Sequence, residues 1–122
     1  MRTNKVKLTK DASERLKQLK ARTGLAPNIL SRIGFCLSLN EPAIPNPEAY
    51  PEEDREFNRY TLLGEWDELF VALLRQRVSN DGLSPEDLEE QFRAHLNRGV
   101  ISLSKNCKEV GDIARLCERL AR

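Results

Sequence analysis

Lys5, Lys7, Lys10, Lys17 and Lys20, with Arg15 and Arg22 behind them, place seven cations within eighteen residues, and an eighth, Arg2, precedes them. Only Asp11 and Glu14 oppose them in residues 1–22. A lysine or arginine that neutralises a DNA phosphate releases condensed counterions, so about six such contacts give salt-sensitive binding that needs no base readout. A charged helix face is by itself an ordinary solvated surface. Here the near absence of acidic partners sets the segment apart, because exposed helices usually mix the two signs. The formal net charge of +1 hides this asymmetry. Residues 41–90 carry four basic against fourteen acidic side chains, and residues 91–122 carry seven against three.

The other residues able to do chemistry are few. His95 is the single histidine, and Cys36, Cys107 and Cys117 have neither CxxC spacing nor a histidine beside them. They are expected to be reduced, mostly buried thiols in a cytoplasmic protein, and His95 a packed side chain; a zinc site within one chain lacks its usual ligands. The acidic run Glu52, Glu53, Asp54 follows Pro51 and reads as solvated rather than metal-binding. There is no glycine-rich phosphate loop, no G-x-S-x-G elbow, no H-E-x-x-H and no second histidine for acid–base work. The expectation is a non-enzymatic binding protein without cofactor or metal. No apolar run approaches the ~18 residues of a membrane span, and MRTNKVKLTK lacks the apolar core of a secretory signal.

The elements that must position the cations follow from periodicity. Lys5 and Lys7 alternate with Val6 and Leu8, which predicts a short half-buried strand. Thr9 or Asp11 can cap a helix whose apolar face is Ala12, Leu16 and Leu19 and which Gly24 ends. Lys10, Lys17 and Lys20 fall along one flank of that face, Arg15 and Arg22 along the other. A second helix is expected from Pro27 to about Leu39. Ile29, Leu30, Ile33, Phe35, Cys36, Leu37 and Leu39 cover most of its circumference, so it needs cover on nearly all sides. A second subunit is the expected source, with Gly34 allowing close helix approach; later helices of the same chain are the alternative.

Residues 40–56 hold four of the six prolines and read as an extended surface loop, either a wrap or a flexible excursion. Phe57 to Leu63 is a short strand or a lead-in turn. A helix from about Glu65 is expected to bury Trp66, Leu69, Phe70, Leu73 and Leu74. Ser84, Pro85 and Asp87 form a capping signature, with Leu83 able to staple onto Leu88. The helix they start should line up Leu88, Phe92, His95 and Leu96 and stop at Gly99. A last helix, about Asn106 to Leu120, has an expected apolar stripe of Val110, Ile113, Ala114, Cys117 and Leu120. Lys105, Lys108, Arg115, Arg119 and Arg122 make it a second basic surface, whose position relative to the first cannot be read from spacing. The whole is one mainly α domain over residues 1–122: a strand-helix-helix unit at 4–39, a proline-rich loop at 40–56 and a helical remainder at 57–122.

Strand, basic helix, glycine turn and apolar helix over residues 4–39 resembles the ribbon-helix-helix order, in which strands of two subunits pair and enter the major groove. A transcriptional regulator of that kind is one alternative; another is a scaffold whose acidic centre docks a protein. A closer resemblance covers nearly the whole chain. VKLTKDASERLKQLKARTGLAPNILSRIGFCLSL, the proline-rich loop and EFNRYTLLGEWDELFVALLRQR resemble the DndE family of bacterial DNA phosphorothioation proteins. That resemblance implies a homo-oligomer, a tetramer, that binds duplex DNA through surface lysines and prefers nicked duplex. It also implies work beside a cysteine desulfurase, a sulfotransfer enzyme of the PAPS-reductase type and an ATPase. The family's glycine turn maps onto Thr23, Gly24 and Leu25. The seven cations named first are then the expected DNA contacts, and Gly24, Ile29, Leu30, Ile33, Gly34 and Leu37 the expected subunit seam.

Overall fold

The computed structural model describes Met1 and residues 3–120. Arg2, Ala121, Arg122 and the side chain of Leu120 lie outside the described residues, and with them two of the expected basic charges and one position of the expected C-terminal stripe. The protein is mainly α. Its order is β1 (Lys5–Lys7), α1 (Lys10–Thr23), α2 (Pro27–Asn40), β2 (Glu56–Asn58), α3 (Arg59–Leu63), α4 (Asp67–Asn80), α5 (Leu88–Asn106) and α6 (Val110–Leu120), with single 3-10 turns at Pro47–Ala49, Gly64–Trp66 and Pro85–Asp87.

Local signals set the helix ends. Thr9 accepts from the Ala12 amide at 3.0 Å and starts α1. Gly24 ends it at φ 74°, a conformation glycine adopts without Cβ strain, with its amide bonded to the Lys20 carbonyl. Ser84 and Asp87 close a reciprocal capping box ahead of α5.

The helix does not stop at Gly99, as its glycine suggests, but runs on to Asn106. Gly99 is instead the point where α2 crosses α5. A Cβ on Gly34 would lie 2.7 Å from the Gly99 carbonyl carbon, so the two backbones touch and neither position has room for a side chain. Phe35 of α2 packs its ring against Phe92 of α5 and Phe70 of α4, at 5.5 and 5.8 Å between centroids. Ala12, Leu16 and Leu19 of α1 are fully buried in the same core.

β1 pairs antiparallel with β2 of its own chain, Val6 opposite Phe57, and both side chains enter the core. This settles the Phe57 region as a strand followed directly by a short helix. The other edge of β1 is closed locally. The Thr3 hydroxyl donates to the Lys5 carbonyl at 2.9 Å, and Asn97 Nδ2 donates to the Lys7 carbonyl at 3.3 Å. Within this chain β1 is thus paired on one edge, while Thr3 and Asn97 occupy the Lys5 and Lys7 carbonyls on the other.

The proline-rich loop is a wrap. Arg77 donates to the carbonyls of Leu39, Pro42 and Ala43, Arg98 to those of Ser38 and Ala43, and Arg93 to those of Pro47 and Tyr50. Proline excludes the loop from helix and sheet ladders, so its carbonyls need outside donors, and three arginines of α4 and α5 supply them.

Three burial expectations fail. Trp66, Leu69 and Leu73 are 50%, 51% and 43% exposed, because α4 buries Phe70, Leu74 and Val78, one flank over. α6 buries Leu116 and half-buries Ile113, leaving Val110, Ala114 and Cys117 exposed. Of the three cysteines only Cys107 is buried. Among the described residues no helix is long and apolar enough to cross a membrane.

Candidate nucleic-acid interface

The seven expected contacts are not equivalent. α1 rests its leucine stripe on the core, which forces its charged positions outward. Lys10, Lys17, Lys20 and Arg22 are exposed, and among the described residues none takes part in an ion pair. Arg15 is paired to Asp11 at 3.0 Å, one turn away, and its Nη1 reaches Ser104 Oγ at 3.5 Å. Lys5 faces Glu56 across the two-stranded sheet at 3.7 Å. Lys7 is half-buried and lines a cleft with Glu52, Glu89, Glu90 and Arg93. Acidic neighbours thus attend the strand lysines, whereas the α1 lysines are left to solvent or to an anionic ligand.

The expected seam residues also divide. Leu30 and Gly34 are buried against α5 and the rest of this chain's core, which removes them from any surface. Ile29 and Gly24 are exposed, and Ile33 and Leu37 are half-buried. The cover α2 requires therefore comes largely from α5, and what stays open is a narrower strip. Sequence reasoning missed a second open strip, Leu69 and Leu73 on α4 with Trp66 in the turn just before it. Their three- and four-residue spacing marks a helix face, but spacing does not say whether that face is covered.

His95 lies outside the interface. It is fully buried, with Nδ1 2.8 Å from the Ser38 hydroxyl. Arg98 Nε donates to that same hydroxyl at 2.8 Å, so Ser38 links the imidazole to the guanidinium. Burial, reinforced by the Arg98 and Arg77 charges, brings His95 down to about 4. The cluster holds α2, α5 and the loop together, and Glu41 completes it at 3.2 Å from Arg98. Within it, His95 and Ser38 are fully buried and present no group to solvent. Among the described residues no group of three or more His, Cys, Asp or Glu side chains converges as a metal site.

At the far end of α5, the Lys108 and Glu109 amides donate to Asp112 at 2.8 and 3.2 Å, capping α6 and holding the Asp112 carboxyl below its usual range. Burial pushes the neighbouring Cys107 thiol up and Asp112 adds to this, while the Arg22 guanidinium of α1 acts in the opposite direction.

A protein-family model described as DNA sulphur modification protein DndE matches residues 5–110. No curated protein sequence matches the chain. Among solved structures, DndE from Escherichia coli B7A, involved in DNA phosphorothioation modification, is similar at a TM-score of 0.66 and 27% identity, covering 84% of this chain and 99% of that one. A glycine-to-lysine mutant of DndE involved in DNA phosphorothioation is similar at a TM-score of 0.62 and 25% identity, covering 83% and 99%. The chain belongs to the DndE family of DNA sulphur modification proteins.

Proposed function

We propose that this protein is a non-enzymatic DNA-binding subunit of a bacterial DNA phosphorothioation system, acting in the cytoplasm on duplex DNA and favouring nicked duplex. The observation that carries the reading is the set of exposed, unpaired cations on α1: Lys10, Lys17, Lys20 and Arg22. Their charge is available to phosphates without first breaking an ion pair, and each contact contributes through counterion release. Lys5, Lys7 and Arg15 are secondary contacts, since Glu56, the acidic cleft and Asp11 compete for them.

The working form is a homo-oligomer, a tetramer, which multiplies the cations on one assembled surface. Ile29, Ile33 and Leu37 of α2, with Trp66 just before α4 and Leu69 and Leu73 within it, are the residues that form the seam. Burying an exposed leucine contributes roughly 1.5–3 kcal/mol, which favours covering both strips. The cysteine desulfurase, the PAPS-reductase-like sulfotransfer enzyme and the ATPase of such a system are its partners, and they carry the sulfur chemistry.

Replacing Lys17 and Lys20 together by alanine tests the DNA reading. Binding should weaken across all duplex sequences, and its salt dependence should flatten; binding equal to the parent's contradicts the assignment of α1. Light scattering tests the assembly, and a monomeric mass refutes it.

A further inference from the structure

The two basic segments of the sequence, about ninety residues apart, meet in space. α1 runs alongside the C-terminal half of α5 in the same direction, and two contacts fix the alignment. The Thr9 amide donates to Asn97 Oδ1 at 2.8 Å and Arg15 Nη1 lies 3.5 Å from Ser104 Oγ; further along, the Arg22 charge acts to lower the Cys107 thiol against its burial. The Arg15 and Arg22 flank of α1 therefore continues onto the turn between α5 and α6, where Lys105 and Lys108 are exposed and, among the described residues, take part in no ion pair.

The opposite flank of α1 carries Lys10, Lys17 and Lys20. At 100° per residue, Lys17 and Arg15 point about 160° apart, as do Lys20 and Arg22. Between the two flanks runs a crest of Glu14, Gln18 and Ala21, all exposed. A helix with side chains is about 10–12 Å across, close to the ~12 Å width of the DNA major groove. Cations on both sides of such a crest match the two phosphate backbones that border a groove, and the crest itself, Glu14 included, points between them.

We propose that the DNA surface is two-sided: Lys10, Lys17 and Lys20 hold one strand of a duplex, and Arg15 and Arg22 together with Lys105 and Lys108 of the α5–α6 turn hold the other. This rests on the DNA-binding reading above and extends it to residues far along the chain. A single strand offers only one backbone and engages one side.

The test uses the full chain with a fluorescein-labelled 24-base-pair duplex and the corresponding single strand, titrated over a range of salt. Variants are Lys17→Ala/Lys20→Ala and Lys105→Ala/Lys108→Ala, with thermal melts confirming that both fold. Each double variant should weaken duplex binding about 10- to 60-fold at 100 mM salt and lower the salt slope by up to about 1.8, two lost contacts at roughly 0.9 each. The parent should bind the single strand at least tenfold more weakly than the duplex. If Lys105→Ala/Lys108→Ala binds like the parent while Lys17→Ala/Lys20→Ala does not, the two-sided surface is wrong and the DNA-binding reading stands. Equal binding of single strand and duplex also overturns the two-sided surface. If neither variant differs from the parent, the DNA-binding reading itself falls.

Discussion

α1 and α5 lie side by side and use their sequences in opposite ways. α5 turns inward: eleven of its nineteen residues are buried, including the polar Gln91, His95, Asn97 and Ser104. α1 buries four of fourteen and turns its cations out. On α5 a substitution meets packed neighbours at once, so its effect is steric and large. On α1 the cations touch little, so a substitution leaves the fold alone and changes what the surface can hold. The division lets one small chain be rigid inside and electrostatically open outside.

The sharpest way to break this contrast is Gly99→Ala. With the Gly34 backbone already in contact, the added methyl forces α2 and α5 apart, and the expected loss is about 3 kcal/mol or more. Chemical denaturation measures it, and DNA binding by the molecules still folded should be unchanged. A loss below about 1 kcal/mol shows that the crossing is looser than described.

His95 gives the next largest effect, through pH. Its folded value of about 4 lies below the ordinary 6.5, so between those values the unfolded chain binds a proton that the native state does not. The stability in question is present above pH 6.5 and disappears as the pH falls through this window, by up to about 3 kcal/mol at pH 4. Denaturation of the parent and of His95→Gln at pH 7, 5.5 and 4 separates this contribution from that of the carboxylates: the parent should lose more than the variant. Parallel curves would place the titration elsewhere.

The outer surface supplies the smaller effects. Lys17→Ala should change stability by less than about 0.5 kcal/mol, as exposed substitutions usually do, yet reduce the salt slope of duplex binding by about 0.9. Lys5→Ala should reduce that slope less, because Glu56 already attends the Lys5 ammonium. An exposed ion pair of this kind is worth ~0–1 kcal/mol, enough to lower the gain from a phosphate without abolishing it. Equal slopes for the two variants would show that the strand and helix lysines are not distinguished by their acidic neighbours.

What could be read from the sequence was what local chemistry decides. Thr9, Gly24 and Ser84 mark helix ends because their side-chain or backbone preferences act within a few residues, and the α1 stripe is legible because one face of a helix is a periodic signal. Gly99 misled because a glycine that ends a helix and a glycine that admits a neighbouring backbone look alike in one dimension; only the approach of Gly34 tells them apart. The same limit hid the partner of β1, fifty residues away, and the loop-clamping roles of Arg77, Arg93 and Arg98, which from the sequence are simply charges. In α4 the periodicity was sound but the covered face was misplaced by one flank, leaving Trp66, Leu69 and Leu73 outside. For the interface, the cations themselves were legible, while their inequality was not, since it depends on Glu56 and on the acidic cleft that folding brings to the strand lysines.

The measurement that bears most directly on the central claim is the salt dependence of binding to a short duplex by the unaltered protein. Four unpaired cations on α1, each releasing about 0.9 counterions, predict that log K falls against log salt with a slope of about −3.5 or steeper, for duplexes of unrelated sequence alike. A slope near zero, or no binding at low salt, would contradict the assignment of this surface to DNA.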